Sequence, residues 1–453
     1  MGVDPMGFFS NERRRKKKWL DAPTQKRSLV GEYYLQEWVN HFKSRILRET
    51  DLEQLTRMPV VEQRLTLNRL IHRYLSEEQL IISSGDREQL INQIIDESVG
   101  FGPLEPLLKD ETITEIIVNG PFEVYCESNG KLSLTDIQFR DEEALRHVIE
   151  RIVAPIGRRI DVSSPMVDAR LPDGSRVNVV IPPISLKGPL LTIRKFRKEP
   201  IRLEELVSFG SLTQTMAEFL IALIRGKQNL VISGGTGSGK TTLLNALACY
   251  IPEYERIVTI EDMAELRIPH PHVAAMEARP PNVEGKGEIT IRQLVRNALR
   301  MRPDRMIIGE VRGAEAFDML QAMNTGHEGS LTTIHANSPD DALDRLEAMV
   351  MMSDVLLPAH MIRSYLAGAI DIIIQVSRMK DGRRRMLAIS ELIRQEDGTI
   401  QVKDIFRFVQ TGITDEEGVQ GDFIRTEYVP KCLNRLKAYG EDVTSLMRRG
   451  NQC

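Results

Sequence analysis

The sequence predicts an α/β protein: a parallel sheet with helices on both faces, preceded by a smaller α+β domain and a helical bundle. Three observations carry this expectation. Beyond residue 213, short apolar runs alternate with helical periods, as strand–helix–strand units require. The stretch NLVISGGTGSGKTT at 229–242 sets a glycine loop between such a run and a helix start. Before residue 213 the hydrophobic period changes, helical at first and then alternating.

At 453 residues the chain is long enough for two or three domains, each with its own core. Residues 1–29 read as a disordered tail with a basic run, Arg13, Arg14, Arg15, Lys16, Lys17 and Lys18. That run admits two roles: a solvated tail, or contact with a partner or anionic lipid at about 1 kcal/mol per cation. Residues 30–98 read as a helical bundle. YYLQEWVNHFKSRIL sets Leu35, Val39, Phe42 and Ile46 on one face, and REQLINQIIDESVG, opened by Asp86, clusters Leu90, Ile91, Ile94 and Ile95. Residues 99–198 read as a small α+β domain. ITEIIVNG, FEVYCE and KLSLTDIQF are strands, with a hairpin turn at Ser128-Asn129-Gly130. DEEALRHVIERIVAPI is an amphipathic helix, MVDARLPDGSRVNVVIP a hairpin turned at Pro172-Asp173-Gly174, and LLTIRKF a closing strand. Residues 199–212, punctuated by Pro200 and Gly210, read as a linker.

Residues 213–453 hold the alternating part. After the glycine-loop unit come ERIVTI, ITIRQLVRNALRM, DRMIIG, AEAFDMLQAMNT, GSLTTI, PDDALDRLEAMVMM and AIDIIIQV. Hairpins turned at Asp381-Gly382 and Asp397-Gly398 then add an antiparallel extension.

Composition narrows the function classes. A formal charge of -4 gives no global reason to expect a nucleic-acid binder. Cys126, Cys249, Cys432 and Cys453 are scattered without a CxxC pair, which argues against a zinc site or a disulfide framework and suits a reducing cytoplasm. The start is polar and then basic, unlike a secretory signal. The most apolar stretch, 349–376, is broken by Asp354, Arg363 and Asp371, so no transmembrane segment is expected.

Gly234, Gly239, Lys240 and Thr241 satisfy G-x-x-x-x-G-K-[ST]. Backbone amides of Gly234, Gly235, Thr236, Gly237, Ser238 and Gly239 would converge on phosphates, with Thr242 in the following turn and the helix dipole favouring their charge. Lys240 would reach the β- and γ-phosphates, and the Thr241 hydroxyl would ligate Mg²⁺. Ligands of parallel sheets lie beyond the carboxyl ends of the strands. There ERIVTI is followed by Glu261, DRMIIG by Glu310 and GSLTTI by His335. Two carboxylates beside Mg²⁺ can activate water and hold the metal's water shell. Glu310 is the first candidate for the activating base and Glu261 the second. Gly309 stands where an Asp often precedes such a Glu. His327 and His335, eight apart, fit no helical metal pattern. A neutral His335 can bond a γ-phosphate or hold a carboxylate, while His327 can do the same or cap the preceding helix. Arg170, Arg176 and Arg194 of the α+β domain are candidates to offset transition-state charge.

GGTGSGKTT, TIEDMAEL, MRPDRMIIGEVRG and TGHEGSLTTIHANSP, in this order, resemble the motifs of the type II/type IV secretion ATPase superfamily. SSPMVDARLPDGSRVNVVIPP and EARPPNVEGKGEITIRQLVRNALRMRPDR look like the branch serving tight-adherence (Flp) pili, the CpaF type. The similarity runs from about residue 95 to 380. It implies a RecA-like P-loop ATPase domain preceded by a PAS-like domain, with ATP and Mg²⁺ as ligands. It also implies a homohexamer at the cytoplasmic side of the inner membrane, working on pilus platform proteins to drive assembly or retraction. In that likeness Glu261 and Glu310 serve metal and water, His327 and His335 form a histidine box, and Arg194 acts in trans. A nucleic-acid motor on the same core and a nucleotide-switched scaffold are the rival readings.

Overall fold

The computed structural model describes residues 38, 39, 41, 42, 44–46, 48–50, 58–78, 84–98, 100–128, 130–196, 200–281, 285–353, 357–395, 399–414 and 418–447. The basic run at 13–18, Leu35 and the turn residues Asn129, Asp397 and Gly398 lie outside them. The chain divides into two compact units, residues 1–196 and 197–453.

In the first unit, Val39, Phe42 and Ile46 share a core with two helices, α1 (Val60–Glu77) and α2 (Ser84–Ser98). Leu67, Ile71 and Tyr74 come from α1; Leu90, Ile91, Ile94 and Ile95 come from α2. The i, i+3, i+4 spacing of these residues places them on facing stripes, so the helical period read from sequence is what buries them.

Six strands follow: β1 (Ile113–Asn119), β2 (Val124–Ser128), β3 (Lys131–Leu134), β4 (Met166–Arg170), β5 (Arg176–Val180) and β6 (Leu190–Arg194). They form an antiparallel sheet in the order β3-β2-β1-β6-β5-β4. Gly174, at φ +93°, makes the β4–β5 turn, and Asp173 Oδ1 accepts from Ser175 N at 2.8 Å. Helix α3 (Glu142–Val153) is capped by Asp141, which accepts from Ala144 N at 2.8 Å. Its Leu145, Val148, Ile149 and Ile152 pack with Val118, Val177 and Ile193 of the sheet.

The second unit begins with α4 (Leu203–Ser208) and α5 (Gln214–Arg225). The expected linker at 199–212 is therefore partly helix, because Leu203 and Leu212 are buried in this unit's core. Then come β7 (Leu230–Gly234), α6 (Lys240–Ala248), β8 (Ile257–Glu261), β9 (Val273–Glu277), α7 (Ile291–Ala298), β10 (Arg305–Ile308), α8 (Glu315–Asn324), β11 (Leu331–Ile334), α9 (Pro339–Met351), α10 (Ala359–Ala369) and β12 (Ile372–Arg378). β13 (Arg384–Arg394), β14 (Ile400–Thr414), β15 (Gly418–Arg425) and α11 (Cys432–Ala438) complete it.

The nine-stranded sheet runs β15-β14-β13-β12-β7-β11-β10-β8-β9. β12 through β9 are mutually parallel, while β13, β14 and β15 are the antiparallel extension. β7 and β8 are buried along their whole length, as strands covered on both faces must be. Leu230 and Ile232 point into one core with Leu220 and Leu244; Val231 points into the other with Val258, Met319 and Leu346. Among the described residues, no helix is long and apolar enough to cross a membrane. The apolar stretch 349–376 instead supplies the end of α9, then α10 and β12.

Candidate nucleotide site

The parallel register brings the ends of β7, β11, β10 and β8 to one edge. Ser233 pairs with Ile334, Thr332 with Ile308, and Ile308 with Ile260. The residues after them, the glycine loop, His335, Glu310 and Glu261, therefore share that edge.

The loop is shaped by its glycines at three places. Gly237 and Gly239 have φ of +69° and +96°, where a Cβ is strained. At Gly234 a Cβ would stand 2.4 Å from Val376 O of the neighbouring strand. Helix α6 starts at Lys240 without a side-chain cap, so its first amides face the loop. Lys240, nearly buried, donates from Nζ to Gly234 O and Gly235 O at 3.0 Å each. Thr241 and Thr242 occupy the first turn of α6 beside it.

Lys240 Nζ also lies 3.2 Å from His335 Nε2, and the same ring nitrogen lies 2.9 Å from Glu310 Oε1. Burial and then the Lys240 charge hold the His335 pKa below its ordinary range, against the pull of Glu310. A neutral ring whose Nε2 faces an ammonium accepts from Lys240 and has no proton there for Glu310. Consistent with this, Glu310 Oε1 is buried and makes no hydrogen bond despite its closeness to the ring. Glu310 Oε2 is held by Arg312 Nη2 at 2.6 Å, and Arg312 Nη1 lies 3.6 Å from Asp262 Oδ2. One oxygen is thus fixed by Arg312 and the other lies buried beside the His335 ring.

Glu261 is buried under the edge of the sheet. Its Oε1 accepts from Glu265 N at 2.8 Å and Leu266 N at 3.0 Å. Burial outweighs these bonds and pushes its pKa up to about 7. Gly309 has a steric reason: a Cβ there would lie 2.9 Å from Glu261 Cγ. The place where an Asp commonly stands is closed by the buried glutamate. A glycine loop, a lysine, a helix start and a buried carboxylate oxygen lacking a donor together fit a Mg²⁺-bound nucleoside triphosphate.

His327 does not join this cluster. It precedes β11, at the opposite edge of the sheet, and its N and Nδ1 lie 3.4 and 3.3 Å from Ala322 O. It caps the end of α8, one of the two roles open to it from sequence, and strand direction corrects the other, contact with this chain's nucleotide loop. In the first unit, cross-strand register aligns Arg170 with Arg176, Arg176 with Arg194, and Arg194 with Glu115. The three arginines form a row across β4, β5 and β6, continued by Glu115 and Glu127. Arg312 went unassigned in the sequence reading, although its place two residues after Glu310 is the one signal that could have found it.

The sequence matches the type II/IV secretion system protein family over residues 97–417. A Mycobacterium tuberculosis protein whose description concerns conjugal transfer is 38% identical over 350 residues, 76% of this chain and 98% of that protein. The type IV secretion system protein PtlH of Bordetella pertussis is 35% identical over 314 residues, 63% of this chain and 92% of PtlH. Among solved structures, the VirB11 ATPase of the Brucella suis type IV secretion system is 31% identical, covering 63% of this chain and 94% of that chain, with a TM-score of 0.35.

Proposed function

The chain belongs to the type II/IV secretion system protein family and is an ATPase, and from that premise we propose that it is a homohexameric motor for assembly of a tight-adherence (Flp) pilus. It works in the cytoplasm against inner-membrane platform proteins, and neither DNA nor RNA is its track. The carrying observation is the convergence of Lys240, His335 and Glu310 on one glycine loop at the sheet edge.

ATP would lie on the loop amides from Gly234 to Thr242, with Mg²⁺ on the Thr241 hydroxyl and on waters ordered by Glu261. Bound there, the metal offsets phosphate charge. The chain's own residues do the rest. Lys240 leaves the carbonyls of Gly234 and Gly235 for the phosphates. Glu310 Oε1 orients the attacking water and takes its proton, while Arg312 keeps Oε2 occupied. His335, neutral, sits between base and lysine and reports which of them the phosphate has drawn away. Arg194 of a neighbouring subunit offsets charge in the transition state, with Arg170 and Arg176 adding to nucleotide affinity.

Light scattering with steady-state ATP hydrolysis tests this, with and without single-stranded DNA. The expected result is a hexamer with DNA-independent turnover, and an Arg194→Ala variant that stays hexameric while losing about 10³-fold in rate. A monomer, or unchanged turnover in Arg194→Ala, removes the trans arginine. DNA-stimulated turnover would make the chain a nucleic-acid motor instead.

A further inference from the structure

β12 runs beside β7, pairing Val376 with Gly234, and continues past the glycine loop to Arg378. β13 returns with Arg384 opposite Arg378. Cross-strand partners project from the same face, and both of these arginines are exposed and reach the loop. A Cβ on Gly237 would lie 3.9 Å from Arg378 Nη1, and one on Gly239 would lie 3.8 Å from Arg384 Cγ. Arg384 Nε donates to Gly237 O at 3.3 Å. The next amide, Ser238 N, donates to Gly235 O at 3.4 Å, on the side where Lys240 Nζ also bonds Gly235 O. A trans peptide sends its C=O and N–H to opposite sides. A bond that holds Gly237 O outward therefore turns Ser238 N–H inward, to where phosphate oxygens would sit.

We propose that Arg384, backed by Arg378, is a positioning residue for nucleotide binding, bracing the Gly237–Ser238 peptide from outside so that its N–H faces the phosphates. The inference rests on the reading of this loop as the ATP site. Guanidinium suits the task because Nε–H is fixed in a rigid plane and its charge polarises the carbonyl it holds, strengthening the amide dipole beyond. The brace comes from the hairpin that opens the antiparallel extension, so these outer strands have a part in nucleotide affinity as well as in packing.

Equilibrium binding of a fluorescent ATP analogue with Mg²⁺ to the full-length protein tests it, alongside steady-state kinetics and a thermal-unfolding check on each variant. Arg384→Ala is expected to weaken binding about tenfold, with the loss falling on KM rather than kcat. Arg384→Lys, which keeps the charge without the planar Nε–H, should recover only part of it. Arg383→Ala removes an equal charge from the same hairpin, from a side chain 3.9 Å from Asp381 Oδ2, and should bind within twofold of wild type, about the scatter of a surface substitution. Should Arg384→Ala fail to fold, Arg378→Ala carries the test, with an expected loss of about threefold. Wild-type affinity in Arg384→Ala, or an equal loss in Arg383→Ala, overturns the brace, since the second result would be a field effect of the hairpin. A Lys240→Ala variant that binds as wild type does would instead overturn the nucleotide-site reading on which the brace rests.

Discussion

Glu261 makes the residue scale measurable by pH. Its folded pKa, about 7, lies above the ordinary carboxyl value of 4.5. The folded state therefore prefers the proton, and the cost of ionising the buried group is absent below the unfolded value and complete above pH 7. The difference, 7 − 4.5, converts to about 3 kcal/mol. Glu261→Gln should accordingly raise the thermal stability of the nucleotide-free protein at pH 8 and leave it nearly unchanged at pH 5. Equal effects at both pH values would show that burial is not what governs this carboxyl. The loop, Glu310 and His335 were readable because each directly follows an apolar strand run, and strand ends fix position. Arg384 was not, since its partner depends on which strands become neighbours: it meets Gly237 across 147 residues of chain.

At the scale of elements, two contacts decide how pieces of the second unit fit. The close approach of β10 to β8 at Gly309 predicts that Gly309→Asp destabilises by about 2 kcal/mol or more, by overpacking against Glu261 and adding a second buried carboxylate. Chemical denaturation at pH 8 measures it. The C-terminal helix α11 hangs on Glu391 of β13, which accepts from Tyr428 Oη at 2.5 Å, Lys431 N at 2.8 Å and Cys432 N at 2.6 Å. Glu391→Ala leaves those donors unmatched and should cost about 3 kcal/mol, with amide exchange accelerating first in 428–438. Elements with strong periods, such as α3 and the P-loop unit, stand where the sequence set them. β9, α11 and β15 went unread for physical reasons. β9 is an edge strand, VAAME, without a clean alternation of burial, and α11 is only seven residues long. Residues 203–212 looked like a linker because Pro200 and Gly210 flank a helix of six residues, whose burial comes from tertiary contact.

For the whole molecule, the topology follows from the order of periods. Alternation after residue 213 yields the parallel strands, and the two Asp-Gly hairpin signals lead into the antiparallel extension. The arginine row of β4, β5 and β6 shows what pattern reading leaves out, because Arg170, Arg176 and Arg194 become neighbours only through strand register. Glu115, opposite Arg194, meets one end of the row, and in the proposed ring the three arginines serve a neighbouring subunit's nucleotide. Simultaneous Arg170→Ala and Arg176→Ala changes should raise KM for ATP about tenfold while preserving the fold by circular dichroism. In the proposed mechanism Glu310 activates water on a nucleotide held by Lys240 and its loop. The most direct test is paired measurement of ATP binding and steady-state hydrolysis in Glu310→Gln. Affinity within about threefold of wild type and a turnover lowered at least about 100-fold are the expected results. Turnover within about tenfold of wild type, below the range of such effects, would contradict it and pass the role to Glu261.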